Sequence, residues 1–449
     1  MSSATVTAPS GSMRRVALTA LAGTSIEWFD FFLYATAAAL VFPTVFFAAD
    51  MPPYASLIAS FSTFAVGFLA RPIGAVVFGH FGDRVGRKKT LVVALMMMGV
   101  ATTLIGLLPT YAMIGAFAPV SLVLLRFVQG LAVGGQWGGA MLLVTENAPP
   151  DKRGFYGAFA QAGAPVGLIL ANLAFLIVTA SVSQEAFMAW GWRIPFVASV
   201  SLIGLSLYVQ LRLEDTPAFR ELQALTATPN LPTDTVVEQV VARRSPVLEA
   251  ITTYPKQIAL AAGAFLAAQV TFYIMITFVI AYGTDPAGLG LPRGTMLAAV
   301  LLASVVQIPT QFMAAMYSDK HGRRGVYMLG AALMGVWGFV LFPLVDTGSF
   351  LWITVGVSVG LILIGMMYGP QAAFLTEMFS THVRYSGASL GYQLGAILGG
   401  ALAPIIATAI LATYGSTLGI SVYIAVACGL TFLSVFLLSE TYQRNLREV

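Results

Sequence analysis

Twelve stretches of this 449-residue chain stay apolar for about 20 residues or more, and charged residues gather between them. Their approximate limits are 17–47, 55–79, 90–109, 118–146, 155–180, 191–211, 258–283, 296–317, 325–345, 351–377, 387–413 and 418–438. A helix of about 20 residues crosses the roughly 30 Å hydrocarbon core of a bilayer. Lipid offers no hydrogen bonds, so only helices and closed barrels can span it. Barrel strands run to about 11 residues and alternate in polarity. These stretches are longer and do not alternate, so they predict membrane helices. Composition agrees: 58% of residues are hydrophobic and 9% charged, against about 25% charged in soluble domains. Mean hydropathy is +0.85. The expected fold is an all-α integral membrane protein. The first stretch is too long, and too polar in its middle, for a signal-peptide core, so it reads as a retained span.

Basic residues orient the bundle. With both termini in the cytoplasm, all but four of the 23 Lys and Arg fall on the inner side. The four are Arg71, Arg126, Arg193 and Arg293, the last two near outer ends. Cytoplasmic loops of membrane proteins carry this excess. Topology accounts for the +4 formal charge, and no basic stripe is left for a nucleic acid. One cysteine, Cys428, allows no disulfide framework or thiolate cluster. Three scattered histidines, His80, His321 and His382, make no metal site.

The stretch 213–257 includes "TATPNLPTDTVVEQVVARRSP" and divides the chain. The expected organisation is a cytoplasmic tail over 1–16, a six-helix bundle over 17–212 and a cytoplasmic linker over 213–257. A second six-helix bundle follows over 258–438, then a tail over 439–449. The halves echo each other. "GHFGDRVGRKK" follows the second span and "YSDKHGRRG" the eighth, matching Asp83 with Asp319 and Arg87 with Arg323. Glu146 closes span four with Arg153 seven residues on; Glu377 and Arg384 repeat that spacing after span ten. Internal repeats of this kind mark many secondary transporters, with the solute bound at midplane between the halves. The paired charges are expected to latch the cytoplasmic side: Asp83 accepting from a neighbouring helix start, Arg87 reaching Glu146, and Asp319, Arg323, Glu377 and Arg384 repeating this in the second half.

"GTSIEWFDFFLYATAAALVF" in the first span carries Glu27 and Asp30. Buried charge costs several kcal/mol, so a purely structural helix has no reason to hold them. They lie about 15–20 Å beyond Arg14–Arg15 at 1.5 Å per residue. Three apart, they share a helical face. Two acids so close, in apolar surroundings, favour the protonated form of one. They are the proton-carrier candidates, with Asp30 preferred and Glu27 an alternative partner for an arginine. Arg71 in span two and Arg126 in span four need anionic partners, from span one or from a solute. Arg126 can hold a solute carboxylate or that of Asp30, and exchange between them would couple the two. Arg71 precedes Pro72 and is also a candidate for fixing a helix break. Gln129 shares the face of Arg126, and Gln136 and Trp137 stand out from the glycine-rich "GLAVGGQWGGAML". Trp28 and Tyr34 can wall the site. From the second half, Gln269, Tyr273, Tyr368, Gln371, Tyr392 and Gln393 supply donors and acceptors. Each alone suits ordinary packing as well; together they suit a small hydroxylated or carboxylated solute.

Several motifs give the chain a resemblance to the major facilitator superfamily. "GDRVGRKK" resembles its loop motif after helix two, and "RFVQG" at Arg126–Gly130 its fourth-helix motif. "IEWFDFFLY", "FLARPIGAVVFGHFGDRVGRKK", "GWRIPF" and "GLPR" resemble the metabolite:proton symporter branch, whose members import shikimate, 2-oxoglutarate, citrate, or proline and betaines. The resemblance implies two pseudo-symmetric six-helix bundles working by alternating access, and a proton-coupling role for Arg126. Where family members often read "GGEWGG" this chain has Gln136, which removes a charge and weakens a cationic-solute reading. The expected function is proton-coupled uptake of a small organic acid by a monomer in the cell membrane, with no cofactor, no metal and no chemistry on the solute. Export of metabolites or drugs, symport of a zwitterion, and a channel or sensor are the rivals.

Overall fold

The computed structural model describes residues 10–85, 87–134, 144–145, 148–212, 246–379 and 384–442. Within helices it leaves out the side chains at 10–12, 79–80, 82–85, 87–89, 91, 150, 202–203, 205–212, 246–249 and 384–385. The expected residues Gln136, Trp137 and Glu146, and the side chains of Asp83, Arg87 and Arg384, lie outside the description.

The long helices are α1 (Ser10–Leu40), α2 (Pro53–Val85), α3 (Arg87–Leu107), α4 (Phe117–Gly134), α5 (Arg153–Ser181) and α6 (Arg193–Arg212). After the short helix Pro246–Thr253 come α7 (Pro255–Thr284), α8 (Arg293–His321), α9 (Arg323–Asp346) and α10 (Phe350–Glu377). Then follow α11 (residues 384–414) and α12 (Leu418–Leu437). Among the described residues, ten helices are long and apolar enough to cross a membrane, and the apolar part of α3, Val92–Leu107, is shorter. Helix α1 starts at Ser10, well before the expected limit at 17, because "SGSMRR" continues the helix into its polar end. Helix α2 runs unbroken through Pro72, where the sequence allowed a break.

The packing carries the internal repeat. In the first half α1 packs on α5, α2 on α4, and α3 on α4 and α6. In the second half α7 packs on α11, α8 on α10, and α9 on α10 and α12, the same pairs displaced by six helices. The two sets meet where α5 packs on α8 and α10 and where α2 packs on α11. Such pairing is that of a pseudo-symmetric internal repeat.

Small residues set the closest approaches. A Cβ on Gly134 of α4 would strike the Arg71 carbonyl of α2, and one on Gly74 would strike that of Leu131. Gly163 and Gly167 of α5 give way to Thr24 and Trp28 of α1 in the same manner. Backbone contact of this kind drives helix association in lipid. It fixes the depth at which α1 and α2 present their charged residues. Two π turns interrupt the second half, Ile274–Phe278 in α7 and Ala396–Ala401 in α11. Both follow residues that line the space between the halves.

Candidate functional site

Two small cavities lie between the halves, on either side of Trp28. One is lined by Glu27, Trp28, Phe31 and Arg71 with Tyr392 and Gln393. The other is lined by Trp28, Gln269, Tyr273, Gln307 and Tyr368 with apolar neighbours. The first holds one acid and one cation; the second is neutral.

The two acids of α1 separate. Glu27 lines the first cavity, and Arg71 is the charge it feels. Its Oε1 is buried and has no hydrogen-bond partner. Asp30 is 2% exposed and neither of its carboxyl oxygens has a partner. It sits beside the hydroxyls of Thr102 and Ser199 from α3 and α6. Those hydroxyls donate instead to the carbonyls of Met98 and Phe196. Asp30 thus faces the interior of the first half, while Glu27 faces the second half. Three residues turn a helix by about 300°, enough to give neighbours on one broad face different surroundings.

The two arginines flank one ring. The Cζ of Arg71 lies 4.3 Å from the Phe31 centroid and that of Arg126 4.4 Å from it. Arg71 also lies over Phe68 at 4.6 Å and Trp28 at 5.5 Å. Arg126 lies over Tyr34 at 4.2 Å and Phe64 at 4.8 Å. Among the described residues neither forms an ion pair within 4 Å, and Arg71 Nε, Arg126 Nε and Arg126 Nη2 have no hydrogen-bond partner. Ring faces supply part of what a carboxylate would, since a desolvated cation–π contact is worth about 2 kcal/mol. Gln129 accepts from Arg126 Nη1 at 3.1 Å and donates to Thr102 at 2.7 Å. A polar line thus runs from Arg126 through Gln129 and Thr102 to the side of Asp30. Tyr34 donates to Thr63 at 2.6 Å beneath Arg126, as part of the wall behind Phe31.

From the second half, Gln269, Tyr273, Tyr368, Tyr392 and Gln393 all reach the cavities. Gln371 does not line them. It accepts from Gln161 of α5 at 3.2 Å and donates to Tyr327 at 2.8 Å, joining the halves just below. Gln311 donates to the Ala158 carbonyl of α5 at 3.1 Å, a second such tie. Gln161, Gln307 and Gln311 were not singled out from the sequence, although a lone amide in an apolar span is the signal that marked Gln269. Phe31, Phe64 and Phe68 were also missed; nothing in their identity separates a ring under a guanidinium from an ordinary core ring.

Three of the four charged residues paired by spacing in the second half, Asp319, Arg323 and Glu377, meet in one cluster. Arg323 pairs with Asp319 at 2.5 Å and Glu377 at 3.1 Å; Arg323 and Glu377 are buried and Asp319 is partly buried. Asp319 also accepts from the backbone N–H groups of Gly154 and Phe155, each at 2.8 Å, and so clamps the start of α5 across the two halves. A carboxylate on exposed N–H groups at a helix start is favourable. Arg153 is buried at that start. Beyond α12, Glu440 accepts from the N–H groups of Arg323 at 2.9 Å and Arg324 at 3.0 Å, capping α9. Thr441 donates to Glu377 at 2.8 Å. Burial pushes the Glu440 carboxyl up, but backbone N–H groups of Arg323, Arg324, Tyr442 and Thr441 outweigh it, and its pKa falls below the ordinary Glu value. The available signal for this cap was an acid directly after the last span.

Comparisons with known proteins agree with this architecture. A family model described as sugar (and other) transporter matches residues 16–449. An inner membrane metabolite transport protein of Escherichia coli (strain K12) is 42% identical over 445 residues, covering 98% of this chain and 97% of that one. The shikimate transporter of the same organism is 37% identical over 430 residues, covering 95% of each. A solved structure of a proton:xylose symporter of the major facilitator superfamily superposes with a TM-score of 0.72 at 16% identity, covering 98% of each chain. That last likeness bears on the fold alone.

Proposed function

The chain belongs to the sugar (and other) transporter family, and from that premise we propose that it imports a small organic acid, such as shikimate or a related carboxylate, together with protons. Twelve crossings in two six-helix halves, both termini in the cytoplasm and a cytoplasmic 213–257 linker are part of the proposal. So is action as a monomer. The observation that carries it is the pairing of two unpartnered buried acids, Glu27 and Asp30, with two buried guanidinium groups, Arg71 and Arg126, around Phe31.

A proton enters from outside onto an acid of α1, Asp30 being the preferred carrier, with Arg126 coupled to it through Gln129 and Thr102. The solute docks between the halves against Arg71, Trp28, Gln269, Tyr273 and Tyr368, with Tyr392 and Gln393 beside Glu27. Gln129 and Tyr34 shape the wall behind Phe31, Gln371 ties the halves just below, and Gln136 and Trp137 belong to the proposed site by sequence. Neutralised charge lets the bundle close. The latch of Asp319, Arg323, Glu377 and Arg153 then parts and the solute leaves inward; Asp83, Arg87, Glu146 and Arg384 are proposed to do the same in the paired positions. A few kcal/mol of latch energy biases an otherwise balanced equilibrium. The membrane potential adds about 2.3 kcal/mol per charge per 100 mV to any net charge moved.

Purified protein in vesicles tests this. An acid exterior should drive accumulation of labelled shikimate or a related carboxylate, and preloaded unlabelled solute should drive counterflow. Accumulation only with an outward-directed proton gradient would identify a proton-driven exporter, and influx without counterflow a channel. A second reading, a zwitterion such as proline or betaine, is favoured by the presence of Glu27 and Arg71 in one cavity.

A further inference from the structure

We propose that Arg71 alone anchors the solute, that Glu27 competes with the solute for it, and that the solute therefore carries a single carboxylate on an uncharged, hydroxylated body. This rests on the transport reading above and deepens it.

The two guanidinium groups flank Phe31 at almost equal distances, yet only Arg71 lines a cavity. Arg126 is walled off by Phe31, Tyr34 and Phe64 and held by Gln129. It fits there because position 67 is glycine: a Cβ would meet its guanidinium. Arg126 therefore belongs with Asp30 inside the first half, and a solute reaches one cation only.

Glu27 lines the same cavity as Arg71 but stands outside ion-pair distance in this closed state. Arg71 instead spreads over the rings of Phe31 and Phe68, and its Nε has no partner. A guanidinium held flat by rings, with its Nε unmet, has a donor left for an incoming carboxylate. With a proton on Glu27 the cavity has one net positive charge and accepts one carboxylate. Without it, Glu27 is the rival anion for the same edge. The charged and titratable groups facing this pair are few among the described residues. Asp30 lies one turn along α1, Arg126 of α4 lies across Phe31, Tyr392 of α11 is within hydrogen-bonding reach of Arg71, and Tyr273 of α7 and Tyr368 of α10 lie within the field of Arg71. Gln393 of α11 is neutral.

Beyond Trp28 the second cavity has no charge to meet a second carboxylate or a quaternary ammonium. Gln269 and Gln307 line it, and Gln307 Oε1 is buried without a donor. A buried acceptor lacking a donor favours a ligand that brings one, and a hydroxyl does so. One consequence follows. A dicarboxylate leaves one anion unpaired and is rejected.

The experiment measures binding to the full chain, purified in detergent, in acid and alkaline buffer. The probes are shikimate, 2-oxoglutarate and glycine betaine. The expected result is tightest binding of shikimate, at least about tenfold stronger in acid, with the other two at least about tenfold weaker, the loss of about one hydrogen bond to a charged group. Glu27→Gln should abolish the pH difference while the alkaline affinity rises toward the acid one. Arg71→Lys should weaken shikimate more than Arg126→Lys does. The proposal is overturned if Glu27→Gln keeps the wild-type pH difference, or if it removes binding at every pH, the mark of a zwitterion site. It is also overturned if Arg126→Lys costs more than Arg71→Lys. The wild-type ranking needs no variant: 2-oxoglutarate or betaine bound as tightly as shikimate refutes the single-anion site and leaves proton-coupled transport standing. A wild-type protein that binds none of the three overturns both.

Discussion

Asp319→Asn should open the cytoplasmic side. Within its cluster with Arg323 and Glu377, Asp319 is the charged side chain that crosses from the second half to the first, through two 2.8 Å bonds from Gly154 and Phe155. A hydrogen bond to a charged group contributes about 1.5–3 kcal/mol. Taking the lower figure for each bond, the change removes about 3 kcal/mol from the closed state. At 1.4 kcal/mol per tenfold, the inward-open population rises on the order of 100-fold. Arg323 keeps Glu377 as a partner, so its charge is not stranded and the fold should survive. Cysteine labelling reads the population. Cys428 is the chain's sole cysteine and is buried, so the natural background is low. Ala158→Cys adds a thiol on α5 beside Gln311, in the gap between latch and cavity. Maleimide labelling at that position should be slow in the parent and on the order of 100-fold faster with Asp319→Asn. Equal rates in two folded proteins would show that Asp319 biases nothing and that the latch is topology alone.

Four further outcomes are expected. Asp30→Asn should abolish pH-driven accumulation and leave part of solute exchange, measured as counterflow; equal loss of both would point to binding or folding. Arg126→Lys should cut uptake at least about tenfold, because three ring faces at up to about 2 kcal/mol each and the bond to Gln129 do not suit an ammonium; near-normal uptake would remove Arg126 from the coupling. Gly134→Val should lower the thermal midpoint, since overpacking against the Arg71 carbonyl costs about 1–3 kcal/mol; an unchanged midpoint would refute the close α2–α4 contact. Glu440 has a folded pKa below the ordinary Glu value, so its cap stabilises above about pH 4.5 and is lost as pH falls through the folded value. The thermal midpoint should therefore fall in strong acid, and Glu440→Gln should flatten that fall; an equally steep fall in the variant would place the titrating group elsewhere.

The helices were legible because lipid imposes length and apolarity on each, and the repeat because Asp319–Arg323–Glu377 copies a spacing also present after span two and span four. Those second-half residues meet as that spacing implied. What the sequence could not separate was depth and direction. Glu27 and Asp30 read as one pair three residues apart, but the glycines of α5 and the rings of α2 seat α1 so that one faces the cleft and the other faces α3 and α6. Arg71 and Arg126 both read as needing carboxylates, whereas ring faces take that place, and ring contacts leave no pattern in a chain with 30 phenylalanines. Gln371 read as a solute contact and is instead tied to Gln161 and Tyr327. Glu440 and Thr441 sit in a segment read only as a tail, because an acid after the last span does not reveal which helix start, more than 100 positions away, it caps.

Proton movement caused by the solute itself tests the account most directly. Vesicles holding the protein are placed in weak buffer with a pH-sensitive dye outside, and shikimate or a related carboxylate is added with no gradient imposed. The account predicts that the exterior turns alkaline as the solute enters, and that Asp30→Asn or Glu27→Gln uncouples the two. Solute entering at full rate with the external pH unchanged would contradict it.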